Sequence, residues 1–534
     1  MKIKNIAYLG IAGLCISSLT GCIEETVPMS DMVVEEQVQQ SSTATESLAL
    51  GMPAGVIDVW TTDSHAMFGY PAIMIQRDVQ TGDYMFFGEM GYCHFTAWQQ
   101  NKARSGNYLN TQFTWNFYYG FLLNINQVVG AVNPENSTDA QKGYLGAALG
   151  FRAMCYLDLA RMYEFLPTEV FPDGKNADGN VVTNLTCPIV SNVTTPSEAA
   201  NNPRATRQEM FDFIEKDLND AEQYIVYLSN RAGNTLPDLA CIYGLKARLY
   251  MWVEDYAKAA DYADKAIKAS SVAPYTEEKA LNMATGYNTA ADFMWAAQQT
   301  SENYCVKTGI INWTSWASNQ TTFGYTGAGT NLYSAIDKSL YDRIPNSDWR
   351  KKQWVAPKGS VLDGQNTSCI ELGENSTYVS TKFRPGQGEV GDYNIGAATA
   401  IPLMRVEEMH FIKAEALAHT GGDAISALNE IMKTRNPSYS CTKTGEMLID
   451  EIVFQKRVEL WGEGQTFFDV KRLDMSVTRG YSGTNWKDTK SVLNTNGRPA
   501  WMNYVMVITE SNNNKGVEGW NNPDPTDLYT PWTE

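Results

Sequence analysis

IVFQKRVELWGEGQTFFDVKR, residues 452–472, reads as two helices folded about a glycine corner. Ile452, Val453, Lys456, Val458 and Leu460 carry no breaker among them, so the first half propagates as a helix. Gly462 and Gly464 then stop it, because glycine accepts the left-handed backbone that closes helices. Beyond them Phe467, Phe468 and Val470 fall on one side, with Asp469, Lys471 and Arg472 on the other. Two apolar faces joined by so short a corner need a larger body to pack on. The charges Glu459, Glu463, Asp469, Lys471 and Arg472 alternate in sign, a pattern that stitches helices together while the rings face a core. They are therefore assigned to structure, not to acid–base chemistry.

Working outward, the same helix-pair pattern recurs. QFTWNFYYGFLLNINQVVGAV begins at Gln112 and is stopped by Asn133-Pro134. Thr138 with Gln141 forms a capping box for a helix running to about Phe165, and Thr206 with Glu209 forms another. Gly143, Ala147, Gly150 and Met154 share one side of the first of these, which invites a close neighbour. Residues 238–253 and 256–269 make a helix pair turning at Glu254-Asp255, with Ala247, Tyr250, Ala259 and Ala266 spaced as in a tetratricopeptide (TPR) unit. Residues 406–419 and 424–434 make another around Gly421-Gly422. Such pairs stack because none buries its apolar stripe alone. The expected fold is mainly α: a TPR-like scaffold over about 112–270 and 401–475.

Residues 285–400 are different, rich in Gly, Thr, Ser, Asn and aromatics without helical periodicity. An irregular insertion of this length is usually functional. The tail 476–534 is similar. Flat rings that cover sugar C–H faces, beside amides that bond hydroxyls, are the chemistry of glycan recognition. Trp313, Trp316, Phe323 and Tyr325, interleaved with Asn319 and Gln320, supply both and form the first candidate site. Tyr84, Tyr92 and Trp98 form the second. A filled seam between loops and helices is the competing reading of both clusters.

Metal and cofactor chemistry is not expected. His65, His94, His410 and His419 are dispersed, and no nucleotide-binding, G-x-S-x-G or zincin pattern occurs. DGKNADGN at 173–180 resembles a calcium loop but lacks its first and last ligands, so it is read as a surface turn. Cys93, Cys155, Cys187, Cys241, Cys305, Cys369 and Cys441 stand singly and read as small hydrophobes.

The N-terminus carries Lys2, Lys4 and a short apolar run, then Leu19-Thr20-Gly21-Cys22, similar to a bacterial lipobox. Residues 1–21 are expected to be a signal peptide, Cys22 the lipidated residue, and 22–50 a polar tether below a single unit spanning 51–534. Loss of Lys2 and Lys4 would leave 40 basic against 60 acidic side chains, a net charge of −20. That balance argues against nucleic acid and anionic phospholipid as partners.

The 452–472 stretch resembles the C-terminal signature of the SusD/RagB family. Further matches are IPLMRVEEMHFIKAEALAHTGG at 401–422, Ala427–Ile431 with Arg435, and the segment 334–349 with Asp348 and Arg350. YGFLLNINQVV and FRAMCYLDLARMY resemble the family's N-terminal helices, whereas Met432 and Lys433 depart from its commoner residues. The resemblance implies a helical body of TPR units with a loop-rich region laid over it. It also implies a lipid-anchored outer-membrane protein, facing the cell exterior, that captures oligosaccharides for a SusC-like TonB-dependent transporter without catalysis. The alternatives are a peptide-capturing lid of such a transporter and a surface glycosidase.

Overall fold

The computed structural model describes residues 42–60, 64–88, 94–327 and 330–532. The lipobox with Cys22 and the candidate Tyr92 lie outside these residues. In chain order the main elements are α1 (Ser42–Val56), α2 (Tyr70–Asp78), β1 (Tyr84–Phe87), α3 (His94–Gln99), α4 (Leu109–Ala131), α5 (Asp139–Tyr163), α6 (Arg207–Tyr224), α7 (Leu239–Trp252) and α8 (Tyr256–Ala269). They continue as β2 (Trp295–Gln298), α9 (Trp313–Ala317), β3 (Tyr333–Ile336), β4 (Ala400–Met404), α10 (Val406–Thr420), α11 (Ala424–Met432), α12 (Glu446–Glu459) and α13 (Thr466–Arg472). The fold is mainly α, and among the described residues the strands form small antiparallel pairs. The first helix includes residues 42–50, the last part of the expected tether.

Sequence signals and helix ends coincide closely. Thr138 and Gln141 close a reciprocal capping box on α5, and Thr206 and Glu209 close one on α6. The small-residue side of α5 is where the chain after α6 crosses: a Cβ on Gly143 would stand 2.6 Å from the Leu228 backbone, and one on Gly146 2.5 Å from that of Ile225. Helices then pack in sequence, α5 on α6, α7 on α8, α8 on α10, and α10 on α11 and α12. Ala247, Ala259 and Ala266, the small TPR-like positions, are fully buried in these seams. Phe411, Leu428, Ile431 and Ile452 form a separate small core under α10 to α12.

The glycine corner between α12 and α13 seats the loop-rich region on this scaffold. Gly462 and Gly464 have φ of 78° and 70°, and a Cβ on Gly464 would meet the Met74 backbone at 2.8 Å. Around the corner the alternating charges are buried and paired. Glu459 accepts hydrogen bonds from Arg435 (2.8 and 3.0 Å), Arg405 (3.1 Å) and Arg350 (3.2 Å). Glu463 accepts from Lys382 (2.6 Å) and Arg405 (2.9 Å). Burial alone would raise the Glu459 carboxyl, but Arg435, Arg405 and Arg350 outweigh it and hold it well below the usual carboxylate range. Lys382 belongs to the loop-rich region and Arg405 follows its exit strand β4 at the start of α10, so these pairs clamp that region to the end of α12 and the glycine corner. Phe467 and Phe468 are buried, as the alternation requires.

Residues 173–180 form a turn tied to the C-terminal tail: Asn176 and Asn180 each donate to the Gly519 carbonyl at 2.8 Å. Among the described cysteines all are free thiols; Cys155, Cys187, Cys241, Cys305 and Cys441 are buried and Cys369 is half-buried.

Candidate functional site

The site is built on a four-residue strand pair. β1 runs antiparallel to β3, with Tyr84 opposite Ile336 and Phe87 opposite Tyr333. Side chains alternate across a strand, so β1 divides its rings between two faces. Tyr84 stacks on Trp461 (centroids 4.7 Å apart), and Phe86 packs against Phe95 and Trp316 at 5.8 and 5.9 Å. Phe87 is left beside Tyr333, 5.9 Å away, at the end of the pair. There Gly88 turns the chain at φ 129°, where a Cβ would collide with the Asn331 carbonyl.

A cavity of about 750 Å³ opens at that point. Phe87 and Tyr333, 6% and 5% exposed, form its floor, and exposed Asn331, Glu374, Asn375 and Lys487 line it with half-buried Gln100 and Asp488. The Lys487 ammonium stands 4.6 Å over the Phe87 ring. Asp488 is fixed: Gln100 Nε2 donates to it at 2.6 Å, Ser491 Oγ at 3.1 Å and the Lys490 amide at 3.0 Å. The arrangement joins ring surface to amide, carboxylate and ammonium groups around an open mouth. Chemically it suits a polar, hydroxyl-rich ligand with flat apolar patches.

The aromatic run expected to bind lies elsewhere, and for a physical reason. Trp313 and Trp316 sit on α9, capped by Asn312, and are 2% and 0% exposed. Trp313 packs edge-on against Phe383 (5.1 Å), and Trp316 lies flat on Tyr325 (4.3 Å, 3° between planes) while its indole N–H donates to the His65 carbonyl. Asn319 bridges Ser334 and Ser380 at 2.8–3.0 Å. Gln320 donates to the Thr381 and Phe383 carbonyls and accepts from Cys369 and Arg384. With both ring faces covered and all amide groups used internally, these four residues form the seam between loops and scaffold, and they present nothing to a ligand. Tyr84 and Trp98 are likewise core residues, Trp98 lying under Arg104 and edge-on to Tyr504. Phe323 and Tyr325 are half-buried; Phe323 meets Tyr393 edge-on at 6.4 Å, and the Tyr325 hydroxyl contacts the His65 ring.

Sequence reasoning missed Phe87, Asn331, Tyr333, Glu374, Lys487 and Asp488. The available signal was the short aromatic run YMFF followed by Gly88, which marks the end of a strand.

A scaffold of stacked helix pairs bearing an open polar–aromatic cavity defines a binding-protein architecture. Residues 251–530 match the SusD family, and residues 75–251 match the family described as starch-binding and associating with the outer membrane. The chain is 22% identical over 470 residues to SusD-like protein P38 of Formosa agariphila, covering 78% of this chain and 85% of that protein. It is similar in fold to a SusD-like carbohydrate binding protein from Bacteroides vulgatus, with TM-score 0.69 and 22% identity over 91% of this chain and 98% of the other. It is also similar in fold to surface glycan-binding protein A of Bacteroides thetaiotaomicron, solved with laminarihexaose, at TM-score 0.61 and 13% identity over 90% and 99% of the two chains. The protein belongs to the SusD family and is associated with the outer membrane.

Proposed function

We propose that this protein captures glycan fragments in the cavity over Phe87 and Tyr333 and passes them to a SusC-like TonB-dependent transporter, without catalysis. The observation that carries the reading is the cavity's composition: a two-ring floor with amides, carboxylates and one ammonium around an open mouth. Rings match the C–H faces of a sugar, and Asn331, Asn375, Glu374 and Asp488 match its hydroxyls. A similarly folded protein is known in complex with laminarihexaose, which supports the same ligand class here. Both oxygens of Asp488 accept hydrogen bonds from neighbours, which fixes the carboxylate at the edge of the cavity.

The reading includes a lipid on Cys22 after loss of residues 1–21, and a tether over 22–50 whose last part is the start of α1. The body 51–534 then acts as one unit, the helical scaffold carrying the site and holding it at the membrane surface. The test is glycan and peptide arrays with soluble protein lacking residues 1–22, followed by a reducing-end assay on every glycan retained. Glycan retention without release of reducing ends is expected. Release at enzymatic rates would replace capture by a glycosidase, and retention of peptides alone would replace the ligand class.

A further inference from the structure

A second ring-lined groove lies on the scaffold, between the end of α1 and the outer side of α4. It encloses about 210 Å³, and none of its lining residues lines the cavity over Phe87. Trp60 and Phe113 are 6.1 Å apart and Phe113 and Phe117 6.4 Å, giving a short aromatic wall. Trp60 is held by its backbone amide, which donates to the Met67 carbonyl at 3.1 Å. Asn116, Gly120 and Asn124 follow at four-residue spacing along α4, so two exposed amides stand in a row beside the rings. Asp58 is exposed at the rim.

Gly120 is the second observation. A Cβ there would meet nothing within 4 Å, so no neighbour presses on this position and packing does not call for glycine. Glycine in a helix interior is unfavourable relative to alanine. What the missing side chain does is leave the floor open. Across the groove Gly55 is the opposite case, with the Phe121 ring 2.8 Å from its would-be Cβ, so that end is closed by packing.

We propose that this groove is a second glycan-contact site, taking one sugar unit of a neutral chain; the proposal rests on the glycan-capture reading above. Neutral follows from the lining, which contains no lysine or arginine to pair an acidic sugar. Single sugar follows from the volume, less than a third of the cavity's.

The experiment compares retention on an array of neutral glycans, maltohexaose, laminarihexaose and their parent polysaccharides included, by five proteins: wild type, Gly120→Leu, Trp60→Ala, the cavity variant Asn331→Ala/Glu374→Ala, and that cavity variant with Gly120→Leu added. Thermal unfolding of Gly120→Ala checks the helix and is expected to show no loss of stability. Gly120→Leu and Trp60→Ala should each weaken retention of long chains at least fivefold, and the cavity variant should keep a residual signal that Gly120→Leu abolishes when added to it. Unchanged retention by Gly120→Leu and Trp60→Ala, with loss only in the cavity variant, would overturn the groove and leave glycan capture standing. Retention of no glycan by any of the five would overturn both.

Discussion

The corner at 459–469 and the cavity over Phe87 hold similar residue types and use them in opposite ways. At the corner, Glu459, Glu463, Arg405, Arg435 and Arg350 are at most 4% exposed and are paired with one another and with buried Lys382, Asp348, Glu407 and Gln455. At the cavity, Glu374, Asn331 and Lys487 are exposed, and no ion pair ties Lys487 or Glu374 to a described residue. A dense charge pattern in one continuous stretch therefore marks a clamp. Sparse polar residues brought together from distant stretches mark the open site.

The largest effect expected is at the clamp. Glu459→Gln leaves three buried guanidinium groups without their shared carboxylate, and breaking such a pair costs about 3–5 kcal/mol. Chemical denaturation should register that loss, while glycan affinity of the folded fraction stays at the wild-type value; lost affinity with unchanged stability would move Glu459 into the site.

A pH effect of opposite sign separates two carboxyls of the same corner. Asp78, buried and with its carboxylate accepting the Gly464 amide at 2.8 Å, is pushed up to about 8 by burial. A carboxyl raised by folding contributes its stability below its unfolded pKa and loses it as pH climbs through the folded one. Its contribution should therefore fade between about pH 4 and about pH 8. Glu459, held low, contributes above its unfolded pKa and loses that as the pH falls. Melting curves of Asp78→Asn should lose the decline toward pH 8 and keep the acid limb; a decline identical to wild type would refute the assignment.

The smallest effect is at Lys487, an exposed ammonium over a ring, an interaction worth about 0.5–1 kcal/mol. Lys487→Met should lower glycan affinity only slightly, as calorimetry can measure, and leave the melting temperature unchanged. A melting temperature that fell with it would make Lys487 part of the clamp.

Much of the scaffold was legible from residue order, because caps and small-residue spacings are local. Thr138/Gln141 and Thr206/Glu209 mark helix starts correctly to the residue, and Gly421 closes α10 at φ 73°. The site was not legible in the same way. Its parts come from β1, the loops near 331 and 374, and the tail near 487, brought together by the β1–β3 pairing, the Ala335–Val379 bridge and the Gln100–Asp488 hydrogen bond. The run around Trp313 and Trp316 attracted the expectation by its ring content, but rings are equally the best seam fillers. Asn312 caps a buried helix there, and the amides of Asn319 and Gln320 satisfy loop carbonyls, which composition alone does not reveal.

The most direct test of where ligand binds is a side-by-side titration of Asn331→Ala/Glu374→Ala and Asn319→Ala/Gln320→Ala with a hexasaccharide retained by the wild-type protein, each checked by thermal unfolding. The cavity variant should lose roughly 1–3 kcal/mol of binding free energy at unchanged melting temperature. The seam variant should melt earlier and bind, once folded, as wild type does. Wild-type affinity in the cavity variant together with lost affinity in a stably folded seam variant would contradict the account.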